Sequence, residues 1–161
     1  VLGSRDLIRR KLAEIRAQHP DGDVQLVSPP MIACLRMTRR LVGVFSLSAQ
    51  HVHTWFDDAV GLTGDWRHPG PVYAIPWRSL CGVVSRNLLA VGRCMSADTT
   101  VWDVTRAIPP CAVTGTAAGV GAALAAEQSD VDLRTLPIPE LQSRLTAQGT
   151  LLDPALVRSL P

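Results

Sequence analysis

The most constraining feature of this sequence is a run of small side chains between Cys111 and Glu127, "CAVTGTAAGVGAALAAE". Alanine favours helix, and no charged residue interrupts the run before Glu127. Pro109 and Pro110 precede it and fix the direction of the chain. Side chains this small let another backbone or a ligand approach very closely. The run therefore predicts a slim helix over 111–127 that packs tightly against a sheet, places its N-terminus against a ligand, or does both.

The segment before this helix predicts where a ligand would lie. "NLLAVG" (87–92) has the short apolar pattern of a strand buried on both faces, and a charged loop with Arg93, Asp103 and Arg106 follows it. Ligands of open α/β sheets bind beyond the carboxyl ends of central strands, and helix N-termini favour anions. The alternatives without a ligand are that Arg93 is a solvated cation and that Arg106 forms a salt bridge with Asp103.

The other elements form an unbalanced α/β set. Apolar spacing predicts an N-terminal helix capped by Ser4, and Pro139 and Gly149 delimit a last amphipathic helix. Strands are expected at 24–28, 41–47 and 72–80, whereas 51–70 and 97–105 are predicted to be loops. The fold class is therefore α/β (α+β mixed), with only one strand that looks central, as in part of a larger architecture.

Composition excludes several classes of function. The 161 residues are 47% hydrophobic with a net charge of +2, which suits a packed domain and not a nucleic-acid binder. The Ala/Gly run is too short and interrupted to predict a membrane span. Four cysteines without CxxC spacing predict free thiols in a reducing compartment, hence the cytoplasm. His51, His53 and His68 lack metal-site spacing, so no metal is expected.

Several motifs occur together in one order. "LRMTRRLVGVFSLS", "WFDDAVG", "VYAIPWRSL", "NLLAVGRCMS", "RAIPPC" and "TGTAAGVGAAL" span residues 30–127. Together they resemble the carboxyl-terminal portion of a family of FAD-dependent oxidoreductases, related in fold to glutathione-reductase and succinate-dehydrogenase flavoproteins. The resemblance implies the end of a Rossmann-like FAD-binding domain and part of a β-rich substrate domain. It divides the chain into 1–86 (substrate domain), 87–130 (last strand and helix of the FAD domain) and 131–161 (helical tail).

The resemblance also implies site residues. The glycine–arginine turn would lie beside the ribityl–diphosphate part of FAD, and the N-terminus of the small-residue helix beside the flavin ring, where its positive end would stabilise reduced flavin. The implied cofactor contacts are Gly92, Arg93, Ser96, Arg106, Thr114, Gly115, Thr116 and Ala117. Arg39 would contact the small-molecule substrate. No catalytic residue is implied.

The dinucleotide fingerprint of the family's amino-terminal half is absent from these 161 residues. The expected partner is therefore a second polypeptide that supplies this half, and the expected reaction is hydride transfer between an organic substrate and flavin N5. Met37 and Thr116 depart from the glutamate and glutamine that are usual in the family. These departures keep open a non-catalytic binding or structural subunit derived from the same fold. A third possibility is an independent domain that binds another anion at Thr114–Gly119.

Overall fold

The computed structural model describes residues 2–28, 36–128 and 132–159. The chain divides into two compact units, Val1–Arg36 and Met37–Pro161. The first contains helix α1, Leu2–Gln18. Because α1 begins before Ser4, that serine lies inside the helix and does not cap it. The strand predicted at 24–28 is wrong, since this segment is irregular; Arg16 Nε donates to the carbonyl of Val24 at 3.0 Å.

The second unit is built on a two-stranded antiparallel sheet of β1, Ala59–Gly64, and β2, Val72–Pro76. β2 is the first part of the predicted strand 72–80, and a 3₁₀ turn, Trp77–Ser79, follows Pro76. β1 lies within the segment predicted to be a loop. Its sequence, "AVGLTG", contains two glycines, which weaken a strand pattern, and four of its six positions are buried.

Three helices complete the second unit: α2, Thr99–Thr105; α3, Ile108–Ala126; and α4, Ile138–Ala147. α4 was expected, and Gly149 beyond it has a φ of +87°, which suits glycine after a helix end. α2 was predicted to be a loop. Its signal was Asp98, whose carboxylate accepts the backbone N–H of Val101 at 2.8 Å as an N-cap. Val101 and Val104 then bury one face of the helix.

The strands predicted at 41–47 and 87–92 do not form. Gly43 and Leu47 each make one isolated bridge, to Gly82 and Ala97, and Leu89 makes one to Cys81. An apolar run becomes a strand only where neighbouring backbones offer a ladder of hydrogen bonds, and the sheet of the described residues contains only β1 and β2. The mixed α/β class is confirmed. The Rossmann-like assignment and the domain boundaries at 86/87 and 130/131 stay predictions.

The core forms where α3 crosses the sheet. Thr114, Ala117, Gly121, Leu124 and Ala125 are buried along one face of α3. A Cβ added to Gly121 would collide with the ring of Trp77, and one added to Gly61 of β1 would collide with Val113. Trp77 is 2% exposed, and its indole N–H donates to the carbonyl of Leu133 at 2.6 Å. The small residues of α3 therefore bring helix, sheet and indole into direct contact.

α3 is longer than the Ala/Gly run predicted. It has 19 residues and, judged by length and composition only, could cross a membrane. About a third of its most apolar stretch is buried inside the protein, and core helices of water-exposed domains have the same length and composition. The extra length comes from Pro109 and Pro110, which lie in the first turn of α3 and not before it. Proline is tolerated in the first turn because the N–H that it lacks has no partner there.

Two glycines of α3 provide a matched stability test. Gly121→Ala forces a methyl group into the Trp77 ring, so we expect a loss of about 1–3 kcal/mol in the free energy of unfolding. Gly119→Ala places its methyl group in open space, and we expect a gain of up to about 1 kcal/mol from helix propensity. Urea unfolding followed by circular dichroism measures both. Equal effects of the two substitutions would contradict the packing of α3 on Trp77.

Candidate functional site

Gly92 joins the turn after the apolar segment 87–91 to the body of α3. Its φ is +59°, and its N–H donates to Thr114 Oγ1 at 2.9 Å. A Cβ at this position would meet Cys111 Sγ at 3.0 Å. Position 92 thus favours glycine for its left-handed backbone and for its close approach to the helix. Gly92, implied by the resemblance as a cofactor contact, makes a structural contact with the buried hydroxyl of Thr114 in α3.

Arg93 follows in a 3₁₀ turn, Gly92–Cys94, and its side chain is exposed. The carbonyl of Arg93 accepts the indole N–H of Trp102 at 2.7 Å. The guanidinium of Arg40 lies 5.8 Å from the centroid of the Trp102 ring. The backbone N–H of Leu41 donates to the carbonyl of Cys94 at 2.8 Å, which ties the segment after Arg40 to the same turn.

These contacts bring Arg40 and Trp102 to the turn of Arg93. We call Arg40, Arg93 and Trp102, together with the exposed Arg39 that precedes Arg40 in the chain, the arginine surface. Sequence reasoning selected Arg93 and Arg39 but not Arg40 or Trp102. The "RR" pair and the tryptophan were visible in the sequence. Nothing in their spacing indicated that residues 39–41 would pair with the turn at 92–94 more than 50 positions later.

Ser96 lies away from this surface. It is 1% exposed, and its Oγ accepts the backbone N–H of Gly43 at 3.2 Å. A Cβ at Gly43 would lie 2.6 Å from the Ser96 Cβ, so the two chains are in close contact there. Ser96 therefore positions the segment that carries Arg39 and Arg40.

The residues expected at the N-terminus of the small-residue helix are not there. α3 begins at Ile108, so Thr114–Ala117 lie in its second and third turns. Thr114 is buried, and its hydroxyl donates to the carbonyl of Pro110 at 2.7 Å. Gly115 and Thr116 are exposed, whereas Ala117 is buried. The true N-terminus has two prolines without N–H groups, which leaves it few donors for an anion.

Arg106 belongs to a separate group of charges. Its Nε lies 2.6 Å from Asp103 Oδ1, which is the salt bridge expected as the alternative to a ligand contact. Its guanidinium lies 5.5 Å from the Trp66 ring centroid. Asp65 accepts hydrogen bonds from Arg67 Nε at 2.8 Å and from Arg67 Nη2 at 2.6 Å. These hydrogen bonds lower the pKa of Asp65 below its ordinary value. We call Asp65, Arg67, Asp103 and Arg106 the charged network.

The histidines of segment 51–68 have separate roles. His51 Nδ1 lies 3.0 Å from the backbone nitrogen of Ser48, and His53 Nδ1 lies 3.1 Å from the carbonyl oxygen of Val157. His68 Nε2 lies 3.5 Å from Asp65 Oδ2. Over residues 2–28, 36–128 and 132–159, no group of three or more His, Cys, Asp or Glu side chains has the arrangement of a metal site.

The three described cysteines are free thiols in different surroundings. Cys81 is buried, and its burial raises the pKa of the thiol to about 12. Such a thiol stays protonated and is a poor nucleophile. Cys94 is exposed beside Arg93, and Cys111 is half-buried against Gly92. Cys34 lies outside the described residues.

Comparison with known proteins identifies the family. The family profile described as "FAD dependent oxidoreductase" matches residues 10–145, which is most of the chain. The chain therefore belongs to this family, whose cofactor is FAD. No curated protein and no solved structure gave a significant match.

The Asp65–Arg67 pair predicts a pH-dependent stability. Because the pKa of Asp65 is lower in the folded protein, its contribution is complete above the ordinary value of 3.8 and is lost as the pH falls through the folded-state pKa. Asp65→Asn should therefore lower the urea midpoint at about pH 7, and its difference from the unaltered protein should shrink towards about pH 3. The exposed Asp57→Asn is the control. A difference that stays constant with pH would contradict this linkage.

Proposed function

We propose that this member of the FAD-dependent oxidoreductase family completes a flavin site at its arginine surface and that a second polypeptide supplies the dinucleotide-binding half. The observation that carries the proposal is the convergence of two motifs distant in sequence. The arginine pair 39–40 and the glycine–arginine turn 92–93 meet through the Leu41–Cys94 hydrogen bond and around Trp102. Both motifs belong to the stretch that resembles the family.

The chemistry of the arginine surface fits one part of FAD. A diphosphate carries negative charges, and guanidinium groups are suited to bind them with paired hydrogen bonds. Arg93 and Arg39 are exposed, and the Trp102 ring beside Arg40 is held by the hydrogen bond from its indole N–H to the carbonyl of Arg93. Arg93 is the proposed diphosphate contact, and Arg39 is proposed to contact a substrate anion. Ser96 and Thr114 support these residues from the interior.

The adenosine half of FAD does not fit the described residues. Dinucleotide binding of the Rossmann type needs a parallel sheet with a glycine-rich first turn, whereas the sheet of the described residues is the antiparallel pair β1–β2. In the proposed arrangement, segment 87–126 packs against a sheet that the partner supplies. The segment and the partner's sheet would together form the Rossmann-like domain.

The outer face of α3 supports a partner. Ala112, Gly115, Gly119, Ala122 and Ala126 are exposed and recur at helical spacing, and Ile108 at the helix start is 85% exposed. Cβ atoms built at Gly115 and Gly119 meet nothing within 4 Å, so glycine is not needed there for packing within this chain. A partner backbone that approaches closely would explain why position 115 or 119 lacks a side chain.

When bound, FAD would supply a hydride acceptor at its N5, and the reaction that we propose is hydride transfer from an organic substrate to that atom. The contribution of this chain is binding and electrostatics. The guanidinium groups of Arg93 and Arg40 hold anionic groups of the cofactor. Trp102 positions Arg40 relative to the Arg93 turn, because it contacts both. Arg39 orients the substrate beside them.

The first experiment is a visible spectrum and an intact mass of natively purified protein. We expect the absorption bands of an oxidised flavin together with a second polypeptide, and bleaching when the substrate reduces the flavin. A colourless protein with a partner would favour the non-catalytic subunit. A colourless monomer of 17.3 kDa would contradict the proposal.

The arginine surface can be tested by substitution in that flavin-loaded protein. Arg93→Ala removes one charge-assisted contact to a phosphate, so we expect the dissociation constant of FAD to rise about tenfold, equivalent to about 1.4 kcal/mol. Arg39→Ala should instead raise the KM for an anionic substrate. Titration of apoprotein with FAD, followed by quenching of flavin fluorescence, measures the first effect.

The control is Arg158→Ala, an exposed arginine outside the arginine surface. It should leave both constants unchanged. Added salt should weaken FAD binding in the unaltered protein more than in Arg93→Ala, because salt screens exposed charges. Equal FAD affinity in Arg93→Ala, Arg39→Ala and Arg158→Ala would rule out the arginine surface as the phosphate contact.

A further inference from the structure

A second concave site lies where β1 ends and α3 begins. It is a cavity of about 300 Å³ that Leu62, Trp66, Ala107, Pro109 and Pro110 help to line. This volume is at the lower end of the range for small-molecule pockets, roughly 300–1,000 Å³. None of Arg39, Arg40, Arg93 and Trp102 lines it. It is therefore a different site from the arginine surface.

Trp66 is both exposed and fixed. The side chain is 57% exposed, which is unusual for so large an aromatic group. Its indole N–H donates to the carbonyl of Asp103 at 3.0 Å, and the guanidinium of Arg106 lies 5.5 Å from the ring centroid. One edge and one face of the ring are thus already occupied. The remaining face can bind a ligand without a further cost of ordering the side chain.

The charges around the cavity are matched among themselves. Asp65 is 7% exposed and is bound by both Nε and Nη2 of Arg67. Asp103 Oδ1 accepts a hydrogen bond from the Nε of Arg106, and Asp103 Oδ2 lies 3.9 Å from Arg67 Nη1. His68, at 3.5 Å, and Tyr73 are further titratable groups near Asp65. Two carboxylates therefore face two guanidinium groups, and the charged network leaves no net charge for a ligand.

The polar side-chain groups of the cavity wall are also occupied. The hydroxyl of Thr63 donates to the carbonyl of Gly64 at 3.2 Å, and the indole N–H of Trp66 is bound to Asp103. Leu62, Pro109 and Pro110 contribute aliphatic surface to the lining. A ligand of this cavity is recognised by flat shape and apolar surface, since the described side chains offer it neither an unmatched charge nor a free donor.

We propose that this cavity binds an uncharged aromatic ring, stacked on Trp66 and covered by the proline rings of the first turn of α3. The proposal rests on the cavity, the fixed indole and the matched charges, and it does not depend on FAD binding at the arginine surface. The ring can belong to an organic substrate or to the flavin itself. An aromatic substrate ring and the flavin ring would both offer a planar face for stacking on Trp66.

The test uses purified protein labelled with 5-fluorotryptophan and followed by ¹⁹F NMR, with each resonance assigned by single Trp→Phe substitution. Benzamide is the probe, and cyclohexanecarboxamide is its saturated counterpart of similar size. We expect benzamide to shift the Trp66 resonance saturably, with a dissociation constant on the order of 1–10 mM, as for a fragment held by one stacking contact. The saturated amide should bind at least about tenfold more weakly, because it cannot stack.

Trp102 is a matched internal control. Its indole N–H is also bound to a carbonyl and an arginine also lies near its ring, but it does not line the cavity. Its resonance should not move with benzamide. Trp66→Leu should abolish binding in a protein with an unchanged circular dichroism spectrum. No saturable shift of Trp66, equal binding of the two amides, or benzamide binding that persists in Trp66→Leu would each overturn the proposal.

Repeating the titration with FAD present distinguishes the two sources of the ring. If the Trp66 shift with benzamide is unchanged, the site takes a substrate ring separate from the cofactor. If FAD itself shifts Trp66 and displaces benzamide, the flavin ring occupies the cavity. If FAD does not bind at all, the function proposed above is contradicted. The benzamide titration without FAD then still tests this site by itself.

Discussion

The close packing of α3 against Trp77 and β1 is the constraint on which the rest of the second unit depends. It requires residues without side chains at the two crossing points, Gly121 against the indole and Gly61 against Val113. A tightly packed interior is sensitive to a single methyl group, so these positions fix the depth and rotation of the helix. With the helix fixed, Thr114 reaches the N–H of Gly92 and holds the turn that presents Arg93.

Charge is arranged in two different ways around this core. In the charged network each carboxylate is matched by a guanidinium, so the network joins the end of β1 to α2 and presents Trp66 without a net charge. On the arginine surface, Arg39, Arg40 and Arg93 are exposed, and the guanidinium of Arg40 lies against the ring of Trp102. The first arrangement is stabilising and suits a neutral ligand, whereas the second suits an anion.

Much of this could be predicted from the sequence, because the relevant signals are local. Proline and glycine marked the ends of α4 and β2, and the density of alanine marked α3. The strand predicted at 87–92 failed for a non-local reason. A buried strand is defined by its neighbours, and the described residues provide only one bridging residue to this segment. β1 was not predicted because its glycines weaken the strand pattern. Gly61 is required for close packing, which depends on the tertiary structure.

The sequence by itself determined the family, the cofactor class and the small-residue helix, since these follow from residue types in a fixed order. Only the tertiary structure decided which residues form a site. Thr114 and Ala117 turned out to be interior residues of α3, because the helix starts before the prolines and not after them. Arg40 and Trp102 joined Arg93 through hydrogen bonds and ring contacts between segments far apart in the chain, and such contacts leave no periodicity in the sequence to read.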